Sequence, residues 1–154
     1  MKRGLLLMAL QTGIVLTTGA KYLKDRANLP RAWAPVQPFD PNLPIRGRYV
    51  RLGVGIVLDG PQGGSVNLSV KNGQLHGAPT SENTGNSVWG RPEGDTTRLA
   101  APVAFFIPEH VRDPSRRAAG EELWVEVSVP VKGPPRPIRL AVKKASSFEV
   151  LPLD

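Results

Sequence analysis

The chain has no cysteine among its 154 residues. This absence excludes disulfide bonds, thiol nucleophiles and cysteine-ligated metals, and it leaves the redox state of the compartment open. Histidine is nearly absent as well, with only His76 and His110, so a Ser-His-Asp triad or a histidine-rich metal site would need one of these two. Neither histidine has the sequence spacing typical of such sites. The sequence therefore predicts no cofactor and no metal.

Aromatic residues are also scarce, at 6% of the chain, whereas glycine and proline each occur 16 times. This composition favours short strands and turns over a helical bundle. Beyond an apolar N-terminal segment, roughly 130 residues remain, which is enough for about one ordinary domain.

Positive charge is in moderate excess and is spread along the chain. The formal net charge is +7. A nucleic-acid-binding protein would be expected to concentrate such charge on one face, together with stacking aromatic residues, and the sequence predicts no nucleic-acid partner. Lys21, Lys24 and Arg26 follow the apolar segment, where attraction to anionic phospholipid headgroups is expected.

The N-terminal segment has the pattern of a membrane-targeting sequence. Residues 4–20 carry no charge and follow Lys2 and Arg3, which predicts a membrane helix with its N-terminus in the cytoplasm and the rest of the chain outside. We assign residues 1–23 to a membrane anchor or signal segment. Thr18-Gly19-Ala20 resembles a small-residue cleavage site, so removal of this segment is the alternative to a retained anchor.

The next segment is rich in proline. Five prolines between residues 30 and 44 oppose helix formation, and we interpret residues 24–45 as an extended stalk. A stalk has an evident use only if the chain stays attached to the membrane. This interpretation favours a retained anchor over a cleaved signal peptide.

Residues 46–154 show the alternation of apolar and polar side chains that is typical of strands. The predicted strands cover residues 50–58, 66–70, 123–131 and 138–142, with a short last strand at 147–151. A buried strand is predicted within 99–107, where Pro102 indicates an edge, a bulge or a late start near Val103. Asn72-Gly73 is typical of a two-residue hairpin turn. No helical crossover separates the strands, so we predict a mainly β fold: a small antiparallel domain, either a meander or sandwich or a partly open barrel, after one transmembrane helix.

A long polar segment interrupts this pattern at residues 77–97. It is rich in Gly, Pro, Ser, Thr and Asn, and it predicts a mobile loop in which Trp89 is the main apolar anchor.

Residues 44–54 read Pro-Ile-Arg-Gly-Arg-Tyr-Val-Arg-Leu-Gly-Val. After an apolar N-terminal helix, this segment resembles the signature of the GDYXXLXY family of membrane-anchored bacterial proteins, which Gly47, Tyr49 and Leu52 match. Arg48 and Val54 stand where that signature has Asp and Tyr. The resemblance implies a single-pass protein of the bacterial inner membrane with a periplasmic domain and an integral membrane protein as partner. It implies no reaction.

Two interpretations of the signature residues remain open. In the structural one, Gly47 permits a tight entry into the strand and Leu52 faces the core. In the functional one, arginine and tyrosine, which often anchor interfaces, form an exposed interaction patch. The candidate patch residues are Arg46, Arg48, Tyr49, Arg51 and Trp89.

The sequence shows no convincing catalytic group. A Ser-Lys dyad would have to combine one of Ser128, Ser146 and Ser147 with one of Lys132, Lys143 and Lys144. A lysine that acts as a base must be desolvated, whereas Lys143 is expected to point outward. Glu122 and Glu126, with Trp124 between them, are expected to form an exposed surface.

The sequence therefore predicts a non-enzymatic, membrane-tethered periplasmic domain that acts as an interaction or accessory subunit of a cell-envelope complex. The alternative is a periplasmic ligand-binding or sensory domain in which residues 77–97, with Trp89, form a lid over the sheet. A cryptic Ser-Lys hydrolase is the third hypothesis.

Overall fold

The structure is a computed structural model, and it describes residues 2–39, 49–61, 63–82, 85–111 and 113–152. In this part of the chain, one helix, α1 (Lys2–Asn28), precedes ten strands. The strands are β1 (Arg31–Phe39), β2 (Tyr49–Leu58), β3 (Gly64–Lys71), β4 (Gln74–Pro79), β5 (Ser87–Glu93), β6 (Thr96–Leu99), β7 (Val103–Phe106), β8 (Glu121–Ser128), β9 (Arg136–Lys144) and β10 (Ser147–Val150). The mainly β fold class with an N-terminal apolar helix is confirmed.

Helix α1 is exposed along its apolar segment. Within it, Gly4–Asn28 is long and apolar enough to cross a membrane, and none of its most apolar window is buried against the domain. At about 1.5 Å per residue, the 27 residues of α1 span about 40 Å, which exceeds the roughly 30 Å of a bilayer hydrocarbon core.

The predicted stalk is wrong over residues 31–39, because this proline-rich segment forms strand β1. Ala32, Ala34 and Val36 alternate with outward residues and are almost fully buried in the core. Proline is compatible with a strand where its missing N–H falls at a position without a ladder hydrogen bond. Residues 24–28 belong to α1, and residues 40–45 lie outside the described residues.

Six strands close into a ring in the order β1, β4, β3, β5, β6, β2 and back to β1. Strands β8, β9 and β10 extend the sheet from β1, while β7 extends it from β2. Most pairs are antiparallel, but β4 runs parallel to both β1 and β2. Each parallel contact is short, with one and two residue pairs, so no crossover helix is needed.

The turns explain which local predictions hold. Asn72 and Gly73 have φ angles of 50° and 74° and connect β3 to β4, which confirms the predicted hairpin.

The predicted loop at residues 77–97 is wrong. Its second half forms β5, which pairs with β3 and with β6, and Gly94 at φ 59° turns the chain between β5 and β6. Strand β7 starts at Val103, as predicted.

The core fills the interior of the ring and continues under β8 and β9. Its members are mainly aliphatic side chains at alternating strand positions, together with Phe105, and the largest fully buried ones include Leu52, Leu75, Ile107 and Leu140. The alternation in β2 places Val50, Leu52, Val54 and Ile56 inward. As a result, the opposite face of β2 is free to form an outer surface.

A layer of side chains, mainly aromatic, covers the outer face of β1, β8 and β9. The Phe148 ring lies edge-on to Trp33, at 4.8 Å between centroids, and to Trp124, at 6.0 Å. Glu126 lies in this layer and is only 5% exposed, so the prediction of an exposed surface at this position is wrong. The sequence pattern places Glu126 outward correctly, but β10 brings Phe148 over this face.

Candidate functional site

A groove lies on the outer face of the sheet where β2, β6 and β5 are neighbours. Its cavity has a volume of about 240 Å³. It is lined by Phe39, Arg51, Gly53, Arg91, Glu93, Arg98, Leu99, Ala100 and Pro102. We call this cavity the arginine groove, after the three arginines that line it.

The groove owes its shape to two glycines on the outer face of β2. A Cβ atom on Gly53 would lie 2.7 Å from Cε2 of Phe39, and one on Gly55 would lie 3.0 Å from Cγ of Pro35. Real Cβ atoms do not approach other atoms as closely as 2.7 Å, so the ring of Phe39 occupies the space that a side chain at position 53 would need. The glycines of β2 therefore leave room for the side chains of Phe39 and Pro35 on the neighbouring strand β1, and Phe39 forms one wall of the groove.

The groove is electropositive. Arg91 on β5 lies directly opposite Arg98 on β6, and side chains that pair across antiparallel strands share one face of the sheet. Glu93 is the only acidic residue among the described lining residues, and its Oε2 is 2.6 Å from Nε of Arg98. Arg51 and Arg91 are exposed and form no ion pair within the described residues. Three arginines against one carboxylate leave an excess of two positive charges.

The predicted interaction patch is partly brought together. Arg51 lines the groove, and Trp89 projects from the same face of β5 as Arg91, with 64% of its surface exposed. Tyr49 lies two residues before Arg51 on the same face of β2, opposite Phe106, but it does not line the groove. Arg46 and Arg48 lie outside the described residues. Trp89 pairs with Ser65 within the sheet, so the predicted lid is wrong.

Sequence reasoning missed Arg91, Arg98 and Phe39. Arg91 falls in the segment that was interpreted as a loop and Phe39 in the one interpreted as a stalk. Arg98 lies between that loop and the next predicted strand, so no face could be assigned to any of the three side chains. Had the alternation of β5 been recognised, Trp89 and Arg91 would have been placed on one face, since they are two residues apart.

The histidines do not form a catalytic or metal-binding cluster. Nδ1 of His76 is 3.2 Å from Oδ1 of Asp59, and Lys71 donates a hydrogen bond to the other carboxylate oxygen. The hydrogen bond from Lys71, followed by that with His76, lowers the pKa of Asp59 below its ordinary value. No group of three potential metal ligands occurs among the residues that the structure describes.

Among the described residues, no hydrogen bond joins a candidate serine to a candidate lysine. Ser128 is 4% exposed, and its hydroxyl donates a long 3.5 Å hydrogen bond to the carbonyl oxygen of Arg136. Ser146 lies in the exposed turn between β9 and β10. Ser147 begins β10 directly opposite Lys144, but both are exposed, and Nζ of Lys144 lies 3.0 Å from Oε1 of Glu121. Nζ of Lys143 lies 5.1 Å from the ring centroid of Trp124, above a tryptophan rather than beside a serine. This geometry offers no support for a Ser-Lys dyad.

Comparison with known proteins identifies no family whose model matches this chain, no similar curated protein and no similar solved structure. The resemblance to the GDYXXLXY family thus stays a prediction from the signature residues. The function is therefore argued from the geometry of the arginine groove and from its position relative to α1.

Proposed function

We propose that this chain is a non-enzymatic interaction domain, tethered by α1 to the bacterial inner membrane, with its β domain in the periplasm. In this role it is an accessory subunit of a cell-envelope complex. Its arginine groove binds an acidic segment of an integral membrane protein. The family resemblance at Gly47, Tyr49 and Leu52 supports the same location and kind of partner.

The observation that carries this proposal is the direct pairing of Arg91 with Arg98. Like charges opposite one another on neighbouring strands destabilise a sheet. Glu93 balances only one of the two guanidinium groups, through its ion pair with Arg98. An acidic ligand would offset the remaining repulsion, and guanidinium groups bind carboxylates with paired, directional hydrogen bonds.

The shape and the rim of the groove support a peptide segment as ligand. The cavity is open and lies beside Trp89, which is mostly exposed. Arginine and tryptophan are the side-chain types that most often carry binding energy at protein interfaces. Leu99, Ala100 and Pro102 provide an apolar floor for part of the ligand.

The end of α1 is held against the domain, which fixes where the proposed anchor joins it. The stalk argument no longer applies, since β1 belongs to the sheet. Instead, Arg31 donates a hydrogen bond of 2.8 Å to the carbonyl oxygen of Arg26, and Arg136 lies 3.6 Å from a carboxylate oxygen of Asp25. These contacts tie the end of α1 to the domain.

Site-specific photo-crosslinking in intact membranes tests the proposal. A photoreactive residue at position 91 should crosslink to a discrete integral membrane protein through an acidic segment, and the same residue at position 116 should not. Arg116 is an exposed loop arginine and provides the matched control. When Arg51→Glu and Arg98→Glu are introduced together into the chain with the photoreactive residue at position 91, the crosslinked product should disappear. A product that survives both charge reversals, or equal products at positions 91 and 116, would rule out the groove as the docking site.

A further inference from the structure

We propose that a cleft between the end of α1 and strand β9 binds an anionic phospholipid, with its phosphate on the arginines and an acyl chain in the adjoining apolar part. We call this the juxtamembrane cleft. It is distinct from the arginine groove and rests on the proposed membrane anchoring.

The cleft consists of two adjoining cavities that share Arg26 and Ile138. The smaller cavity has a volume of about 220 Å³ and is lined by Tyr22, Arg26, Leu29, Ser128, Arg136, Pro137 and Ile138. The larger cavity has a volume of about 760 Å³ and adds an apolar wall that includes Phe106, Val150 and Leu151. Phe106 is 66% exposed, which is unusual for a phenylalanine in water.

The charge at the cleft is positive. Among the residues that the structure describes, the charged side chains that line the cleft or pair with its lining are Arg26, Arg31, Arg136 and Arg139 against Asp25 and Glu126. Glu126 is engaged by Arg139 and lies 4.0 Å from Arg31. Arg26 is exposed and has no ion pair within the described residues. It is therefore free to bind a phosphate together with Arg136.

The position of the cleft along α1 matches the headgroup layer. From Gly4 to Tyr22 the helix rises about 27 Å, close to the roughly 30 Å thickness of a hydrocarbon core. Arg26 lies one turn further along the helix, about 6 Å beyond Tyr22. This position corresponds to the layer of lipid phosphates just outside the hydrocarbon core. The ring of Tyr22 lies 5.4 Å from the guanidinium carbon of Arg136, so an aromatic residue of interfacial type fixes the orientation of this arginine.

A lipid explains the combination of charge and apolar surface better than a free anion does. A soluble phosphate would use the arginines but would leave the wall of Phe106, Val150 and Leu151 without a partner. A phospholipid at the rim of the bilayer brings both chemistries at once. Each arginine near an anionic membrane surface contributes about 1 kcal/mol, or about fivefold in affinity.

The test uses the full-length chain in neutral detergent micelles, with bound lipid counted by native mass spectrometry. The wild-type chain should retain phosphatidylglycerol about tenfold more tightly than phosphatidylcholine, since two arginines contribute and Asp25 offsets part of their charge. The double variant Arg26→Gln with Arg136→Gln should lose this preference. The double variant Arg116→Gln with Lys144→Gln removes the same charge elsewhere and should keep it, because both side chains are exposed and neither lines the cleft.

The variant Asp25→Asn shows whether Arg136 acts by binding the lipid phosphate or only through its ion pair with Asp25. It breaks the same ion pair as Arg136→Gln but leaves both arginines in place, so the preference for phosphatidylglycerol should be kept or increased. Equal loss in Asp25→Asn and Arg136→Gln would overturn the proposal, because it would trace the effect to the ion pair. Full displacement of the lipid by soluble glycerol phosphate would overturn it too, because the acyl chain would then contribute nothing.

Membrane anchoring is measured separately, as the resistance of the chain to extraction from cell membranes by carbonate. A chain that resists extraction yet binds both lipids equally overturns the lipid site and leaves the proposed tethering intact. A chain that is extracted contradicts the tethering itself, whatever lipid it retains in micelles.

Discussion

Arg139 on β9 and Glu126 on β8 form a paired contact beneath an aromatic cover. Nε of Arg139 donates to Oε2 of Glu126 at 2.6 Å, and Nη2 lies 3.4 Å from Oε1. The guanidinium carbon of Arg139 lies 5.6 Å from the centroid of the Trp33 ring. The arginine thus neutralises a carboxylate that is almost fully buried and also packs on an aromatic face.

Arg139→Met should destabilise the fold by about 2–3 kcal/mol, because it leaves the Glu126 carboxylate buried without its main partner. The double variant with Glu126→Met should recover much of this loss, since it also removes the buried charge. Thermal unfolding of the full chain in detergent, followed by tryptophan fluorescence, measures both changes. A double variant that is less stable than Arg139→Met would contradict this account.

Gly53→Ala should destabilise the fold by about 1–3 kcal/mol, because its Cβ would overlap the ring of Phe39. In a Phe39→Ala background that contact is gone, and the same glycine substitution should cost much less. Urea unfolding of the four chains in this double-mutant cycle gives the coupling energy. Additive effects would show that the glycine is needed for some reason other than the approach of Phe39.

The contacts of Asp59 make part of the stability dependent on pH. Because Lys71 and His76 lower the pKa of Asp59 in the folded chain, its ionised form is favoured by folding. This contribution is present above the ordinary value of 3.8 and is lost as pH falls through the lowered folded value. Asp59→Asn should therefore be less stable than the wild type at neutral pH, and the difference should shrink on acidification.

Unfolding temperatures of the two chains, measured from neutral pH to below 3.8, give this difference directly. Glu149→Gln is the matched control, because Glu149 is exposed on β10 and has no ion pair within the described residues. A gap between wild type and Asp59→Asn that is constant over the whole range would exclude an electrostatic origin.

Gly73→Ala should cost about 1 kcal/mol, since φ at this position is +74° and a side chain is strained there. Asn72→Gly, at φ 50°, should be tolerated, because glycine adopts this region freely. Thermal unfolding of the two variants provides the comparison. If Gly73→Ala proved as stable as the wild type, the tight turn between β3 and β4 would not depend on glycine.

Sequence patterns predicted the elements whose faces differ most in polarity. Strands β2, β8 and β9 were recognised because aliphatic residues alternate with polar ones, and the hairpin at Asn72-Gly73 because its two residues tolerate positive φ. Strand β1 was missed because its buried residues are mainly small, Ala32 and Ala34, and stand among prolines. Its burial depends on long-range pairing with β8 and β2, which no local pattern reports.

The candidate site was predicted only in part, for the same reason. Arg51 and Trp89 were selected for their residue types and do lie on the outer face of the sheet. Arg91 and Arg98 become neighbours only through the pairing of β5 with β6, across the turn at Gly94. Glu126 was assigned to the correct face of β8, yet its burial depends on Phe148 from a different hairpin.

The direct passage from α1 into β1 limits how far the domain can travel. Only Leu29 and Pro30 separate the last residue of the helix from the first residue of the strand, a distance of at most about 10 Å even when fully extended. A domain attached in this way to a membrane helix samples a thin layer next to the bilayer. With α1 in the membrane, as proposed, an integral membrane partner would reach the domain by lateral diffusion, and a force on the anchor would act directly on β1, which pairs with strands on both of its sides.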